Sequence, residues 1–448
     1  MRSVDPLERL LEEYPAARRW VVAFSGGMDS FVLLDLCVRL LAGRESAPTL
    51  EALHVDHGVN PESSAWGRHC EAVCAARGVA FSLRRAEPGS AAEDRLRRAR
   101  YQVFESFCRE DDLLLLAHHQ DDQAETVLLR LLRGAGPAGL AGMPAARPCG
   151  SALLCRPLLE WPRERLREHA LGAGLDWIED PSNAEPGYAR NFLRREVMPV
   201  LESRWPGAAA RMGRAAAHCA DAAAICSTRA EEDLQLCRAL DRFGQGCLRL
   251  GPWRGFPQPR RRMVLREWLK AHTDQAAEAR SLETLVTEVI EAAPDRQPRL
   301  VIGSSVVRRF DDALYLLPRR AEREPAPTPF DIEPGHTGQI PGAGRVSLLT
   351  EKPGGGVRAG TRYTVTFRGA GMLCRISGRP AKPLKQLLAE AGIPPWLRDS
   401  VPLLLVDGQL AAVAGVGVCE GFEAGPGEQG VRLVWTPVGG EAQALVTT

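Results

Sequence analysis

The sequence predicts an α/β protein: a doubly wound parallel sheet in the first half, then a helical middle domain and a small α+β C-terminal domain. Three observations lead there. From Trp20 to about Asp180, short apolar runs alternate with segments of helical spacing, the pattern of parallel strands joined by crossover helices. From about residue 185 the chain turns helical, with "MGRAAAHCADAAAICSTRAEEDLQL", "RRRMVLREWLKAHT" and "SLETLVTEVIEAA", and closes on the strand-like "RLVIGSSVVRRF" and "DDALYLLP". A Pro- and Gly-rich stretch between Pro318 and Gly360 then separates these from "RYTVTFRG", "LKQLLAEAG" and "VPLLLVDGQLAAVAGVGV". The expected divisions are 1–215, 216–325, a linker with short strands at 326–359, and 360–448.

Within the first half each element has a local reason. "VVAFS" at 21–25 reads as a buried strand and "FVLLDLCVRLL" as the helix after it, so Ser25–Ser30 forms the turn between them. Gly26 and Gly27 let an anion approach the backbone amides, and the helix start directs unpaired N–H groups to the same place. Asp29 does not suit a bare anion, so a metal ion is expected with it. "HVDHG" at 54–58 ends the second strand, and "AHHQDDQAET" at 117–126 ends a four-leucine strand and opens a helix. Ligands of such sheets sit outside the carboxyl ends of strands, so the three clusters converge on one pocket. Asp121 with Glu125, and Asp122 with Glu125, share a helix face; beside two histidines, these acids fit a metal or an amine, or simply cap the helix. "GAGPAG" at 134–139 follows a helix rather than a strand and reads as a helix end. "EDPSNAEPGYARNFLRREVMP" at 179–199 reads as an ordered loop with Asp180, Ser182 and Asn183, then a helix with Arg190, Arg194 and Arg195.

Composition narrows the class. The formal charge is +1 and the pI about 7.6, so a nucleic-acid surface must be local. Only Lys270, Lys352, Lys382 and Lys385 among the 57 basic residues are lysines, which weakens arginine clusters as signals. The 12 cysteines are scattered without a C-x-x-C, as expected of reduced thiols in a cytosolic protein. Met1–Leu10 is too polar for a signal peptide, and no apolar run is long enough to span a membrane. The location expected is cytoplasmic.

Taken together, the motifs resemble the PP-loop ATP pyrophosphatases, an adenine nucleotide alpha-hydrolase-like fold whose S-G-G-x-D-S is met by Ser25, Gly26, Gly27, Asp29 and Ser30. Within that superfamily the chain is most similar to the tRNA(Ile)-lysidine synthetases. "HVDHG", "RRARY" (with Leu96 where the family pattern has Ala), "AHHQDDQAETVLLRLLRGAGPAGLAGM", "RPLL" and "EDPSNAEPGYARNFLR" stand in that family's order, and "GRPAKPLKQLLAEAGIPPWLRDSVPLL" looks like its C-terminal tRNA-binding module. The resemblance implies ATP-dependent ligation of the ε-amine of free L-lysine to the 2-position of the wobble cytidine in a tRNA(Ile) with a CAU anticodon. An adenylated tRNA forms first; lysidine, AMP and pyrophosphate are the products.

By this resemblance Ser25, Gly26, Gly27, Met28 and Ser30 hold phosphate, Asp29 also binds Mg²⁺, and His54 and Asp56 lie on the adenosine side. Asp122 and Glu125 fall to lysine or Mg²⁺, Asp122 as the second metal residue, with His118 beside them. Arg97, Arg190 and Arg194 fall to the adenylate or the RNA backbone. The proton of the attacking amine is expected to pass to a carboxylate of the Asp121–Glu125 cluster. Between Gly371 and Ser400, Arg375, Arg379, Lys382, Lys385 and Arg398 face only Glu390 and Asp399, with Trp396 available for base stacking, although a solvated face with a buried Trp would look the same. A homodimer is an open alternative to a monomer. Rival readings are tRNA thiolation or ammonia-dependent amidation on the same fold, against which stand the missing C-x-x-C and glutaminase motif, and a non-catalytic ATP- or RNA-binding regulator.

Overall fold

The apolar runs of the first half become a six-stranded sheet. In the computed structural model, residues 5–58, 63–86, 93–179, 189–271, 279–293, 296–319, 327–369, 371–437 and 445–446 are described. The chain forms two compact units, Met1–Ile225 and Cys226–Thr448. The first runs α1 (Pro6–Glu13), β1 (Arg19–Ala23), α2 (Met28–Leu41), β2 (Thr49–Asp56), α3 (Ser63–Ala76), β3 (Ala80–Arg85), α4 (Glu93–Phe107), β4 (Asp112–Leu115), α5 (Gln120–Leu132), α6 (Pro137–Leu140), β5 (Ala146–Cys149), β6 (Ala152–Cys155) and α7 (Arg163–Gly172). Then α8 (Ala189–Phe192) passes through a π-helical turn, Leu193–Val197, into α9 (Met198–Arg204).

The strand order is β3-β2-β1-β4-β6-β5, parallel except for β5 against β6. The chain leaves β1 towards β2 and β3, then returns to place β4 on the other side of β1. A crevice opens outside the carboxyl ends of strands at such a reversal. β1 is apolar on both faces because helices cover both. Trp20 and Val22 pack with Phe31 and Leu33 on one side, and Val21 packs with Leu53, Phe104 and Leu114 on the other. At the opposite end of the strands, Arg19 braces the sheet, its Nη1 donating to Glu51 at 2.7 Å and its Nε to Asp112 at 3.0 Å. The "GAGPAG" stretch is a helix end: α5 stops at Leu132, Gly134 takes φ 74°, and the short α6 follows.

In the second unit the middle region builds, besides its helices, an antiparallel sheet of β7 (Arg238–Leu240), β8 (Gly246–Arg249), β9 (Arg299–Ile302), β10 (Ser305–Phe310) and β11 (Ala313–Pro318), ordered β7-β8-β11-β10-β9. Farther on, antiparallel strands such as Gly344–Glu351, Gly430–Thr436 and Leu403–Val406 enclose a core with the helix Leu384–Glu390. Trp435 is fully buried there, and its Nε1 donates to the Ala343 carbonyl at 3.0 Å. All 12 cysteines are free thiols, most of them buried. No helix among the described residues is long and apolar enough to cross a membrane.

Trp435→Ala removes a large buried ring and leaves that carbonyl unpaired. It is expected to lower the unfolding free energy of the second unit by about 3–5 kcal/mol, measured by denaturant titration.

Candidate active site

The turn after β1 is shaped by what its glycines lack. Gly26 takes φ 83°, and a Cβ there would lie 2.8 Å from Cys70 Sγ and 3.0 Å from Ile178 Cδ1. The Gly26 carbonyl accepts from Ile178 N at 3.0 Å, which ties the turn to the segment after α7. Gly27 caps α2 without a side chain, so the first-turn amides face outward. The two serines brace the turn: Ser30 Oγ donates to Gly27 O at 2.9 Å and lies 3.0 Å from Ser25 Oγ, which accepts from Gly27 N at 3.3 Å. Met28 is buried beneath the turn. His54 is also buried, its Nδ1 2.9 Å from the Phe24 carbonyl oxygen, and Asp56 Oδ1 accepts from Gly58 N at 2.7 Å. Both therefore close the strand ends locally.

Beside the turn, at the end of β4, four charged side chains form a closed box. Asp122 and Glu125 stand one turn apart on α5, both buried. Arg190 Nε donates to Glu125 Oε2 at 2.7 Å and its Nη2 to Asp122 Oδ1 at 3.0 Å. Arg194 Nε donates to Glu125 Oε1 at 2.6 Å and its Nη2 to Asp122 Oδ1 at 2.7 Å. The arginines are four residues apart, a spacing that puts both on one helix face, and a π-helical turn begins at Leu193 between them. Burial alone would raise the Asp122 carboxyl, but His119 and the arginines pull it down to about 2.

His119 joins the box to the turn. It is 1% exposed, and its Nε2 lies 3.7 Å from Asp29 Oδ2 and 3.4 Å from Asp122 Oδ2, while Nδ1 lies 3.5 Å from Asp121 Oδ2. These are charge contacts longer than hydrogen bonds, and both ring nitrogens are buried without a hydrogen-bond partner among the described residues. Burial works against the imidazolium, yet Asp121, Asp29 and Asp122 together raise its pKa to about 9. His118 goes the other way: burial, opposed only by Asp122 and helped by Arg156 and Arg190, lowers it to about 3.

Behind His118 is a basic wall. Arg156, nearly buried, donates from Nε to His118 Nδ1 at 3.2 Å and from Nη1 to Pro144 O at 2.7 Å. No carboxylate among the described residues is within ion-pair reach of it. Arg97 and Arg147 stack on Tyr101 at 5.1 and 4.8 Å, and with Arg156 they pull the Tyr101 phenol down against the effect of its burial.

The residues fit a magnesium ion in a limited way. Asp29 Oδ1 is buried with no hydrogen-bond partner among the described residues, an open acceptor at the mouth of the turn. Asp122 is committed elsewhere: Oδ1 to the two arginines and Oδ2 to His119 N at 3.1 Å. No group of three His, Cys, Asp or Glu among the described residues forms a cage. One carboxylate plus substrate phosphates is a usual way to hold Mg²⁺.

Three family profiles match the chain: "PP-loop domain" over residues 2–201, "TilS substrate binding domain" over 248–315 and "TilS substrate C-terminal domain" over 363–435. The chain is 42% identical to the tRNA(Ile)-lysidine synthase of Pseudomonas aeruginosa, over 96% of this chain and 97% of that one. It is 40% identical to the enzyme of that name from Methylococcus capsulatus, over 93% and 96%. The chain belongs to the tRNA(Ile)-lysidine synthase family. It is thus an ATP-using ligase on a PP-loop fold, and the thiolation and regulator readings give way.

For a lysidine synthase, the structure brings together Ser25, Gly26, Gly27, Met28, Asp29, Ser30, Asp122, Glu125, Arg190 and Arg194, with His118 and Arg97 behind them. Two residues escaped the sequence reading. His119 stood in the quoted motif, but nothing in a His-His pair says which ring turns inward. Arg156 stood in "RPLL", where only its burial gives it meaning. The Asp180–Asn183 loop lies outside the described residues. For Trp396 the packed alternative holds: its ring packs edge-on against Tyr315 at 5.0 Å and Phe310 at 6.0 Å, and its Nε1 donates to Gln245 Oε1 at 3.2 Å. It is held by packing rather than presented to a base.

Two predictions follow from the charges. Arg190→Ala or Arg194→Ala alone leaves one guanidinium on Glu125 and is expected to cost about 1–3 kcal/mol. The double variant strands buried carboxylates and should cost more than the sum of the two, as read by a double-mutant cycle in denaturant. The folded pKa of His119 is raised from 6.5 to about 9, so its stabilisation is fully present below pH 6.5 and is lost as pH rises towards 9. Over that window wild type should lose about 3 kcal/mol more stability than His119→Gln, measured as unfolding free energy against pH.

Proposed function

We propose that this chain ligates the ε-amine of L-lysine to the 2-position of the wobble cytidine in a tRNA(Ile) with a CAU anticodon, through an adenylated tRNA. The observation that carries the reading is the contact chain from the phosphate turn through Asp29 and His119 to the Asp122–Glu125–Arg190–Arg194 box. It joins a site for ATP to a site with both signs of charge.

In this reading the amides at Gly26 and Gly27 and the start of α2 hold the phosphates, and Asp29 offers its open oxygen to Mg²⁺. The ion, when bound, supplies charge compensation for departing pyrophosphate. Arg190 and Arg194 have a second use beyond pairing: guanidinium forks fit phosphate oxygens as well as carboxylates. When they turn to the adenylate, Asp122 and Glu125 are left to receive the lysine ammonium, so one network serves both substrates in turn. The amine proton passes to a carboxylate of the Asp121–Glu125 cluster, in which His119 holds both Asp121 and Asp122 below the usual carboxylate range. Arg97 and Arg156 face the nucleotide as fixed positive charge.

RNA contact outside the anticodon falls to the second unit. There Arg254, Arg296, Arg308, Arg309 and Arg398 line a cavity of about 460 Å³ beside Trp396. Arg398 is the member of the stretch from Gly371 to Ser400 that lines this cavity, whereas Arg375 pairs with Glu420 and Lys382 with Glu390; within the cavity Arg254 pairs with Asp312. The reading keeps the chain in the cytoplasm with its tRNA.

Labelled lysine supplied with ATP and Mg²⁺ should enter an isoleucine tRNA transcript with a CAU anticodon and not a methionine tRNA with the same anticodon. Asp29→Asn should lower the rate by about 100-fold or more. No incorporation into either tRNA, with ATP still bound, would overturn the reading.

A further inference from the structure

Two cysteines in the second unit stand in sulfur contact. Cys374 and Cys419 are 3% and 5% exposed, and their Sγ atoms are 3.2 Å apart across 45 residues of chain. No other pair of thiols among the described residues makes such a contact. The segments that carry them are already neighbours: Ser377 N donates to Val418 O at 3.0 Å, Glu420 N donates to Arg375 O at 2.9 Å, and Ile376 bridges to Cys419. An S–S bond of about 2.05 Å therefore needs only a small local shift rather than a rearrangement of strands. The surroundings give access. Cys374 sits in the two-residue strand Leu373–Cys374, whose Leu373 is 67% exposed, beside an Arg375–Glu420 ion pair at the surface. Short edge strands open at little cost.

We propose that Cys374 and Cys419 form a redox-modification site, in which a hydroperoxide converts the two thiols to one intramolecular disulfide and a dithiol reverses it. Cys374, as thiolate, attacks the peroxide oxygen. The O–O bond breaks, the alcohol or water leaves with the proton from Cys374, and a sulfenic acid remains. The Cys419 sulfur then attacks that sulfur, the S–O bond breaks, and the departing hydroxide takes the Cys419 proton as water. Two thiols are oxidised and one peroxide bond is reduced. Cys374 is the fitting nucleophile because it lies on the short strand beside the exposed Leu373 and its contact with Cys419 favours its ionised form, whereas burial pushes the thiols of Cys37, Cys70, Cys108 and Cys155 up. Transient disulfides of this kind are the form seen in reducing compartments. The bond would pin Leu373–Ser377, with Arg375, against Val418–Glu420.

The test treats the reduced full-length protein with stoichiometric hydrogen peroxide, blocks remaining thiols with iodoacetamide and maps peptides without reductant. The expected result is a Cys374–Cys419 cross-linked peptide that dithiothreitol removes, with a thermal midpoint raised by several degrees. Cys374→Ser and Cys419→Ser should abolish both effects; should either variant fail to fold, the wild-type map still decides. Full alkylation of both thiols after peroxide, a sulfinic acid at one of them without a cross-link, or a cross-link elsewhere with this pair intact would overturn the proposal.

Discussion

Four side chains on two helices carry opposite charges into a place that water largely leaves, and the rest of the first unit is arranged around keeping them together. A buried carboxylate without partners is costly enough that it would take up a proton. Glu125, 1% exposed, meets two guanidinium forks, those of Arg190 and Arg194. Those forks come from positions 190 and 194, four apart and so on one helix face. The helix geometry and the burial of the acids are therefore one constraint.

The same logic runs through His119. Three acids converge on one buried ring, and Asp121, Asp29 and Asp122 together favour its charged form against its burial. This ties the phosphate turn to the box electrostatically, without a hydrogen bond at either nitrogen among the described residues. His118, the next residue, ends up on the basic side against Arg156 and is neutral. Adjacent residues at a strand end point to opposite sides, and here the two sides carry opposite fields.

In the second unit the aromatic and basic residues that suggested base stacking divide into two roles. Trp396 is part of the packing with Phe310 and Tyr315. The arginines gather in a cavity drawn from segments near 254, 296–309 and 398. Two of them donate to main-chain carbonyls, Arg309 to Ile290, Ala292 and Ala293 and Arg398 to Ile393, so these are positive charge held in place by the fold. In a chain so rich in arginine, fixed position is a better guide than number.

Much of this protein was legible along the chain. The alternation of apolar runs and helical spacing in the first half, the Gly-Gly turn with Asp29, the helix end at Gly134 and the clustering of motifs at strand ends all arise from periodicity and backbone preference, which act over a few residues. The pairing of Asp122 and Glu125 with Arg190 and Arg194 was not legible, because it joins positions 65 to 72 apart. The inward turn of His119, the meaning of Arg156 and the packing of Trp396 were equally hidden. These depend on burial and on charge across space, and only the folded chain sets which groups lose water together and which opposite charge stands beside each of them.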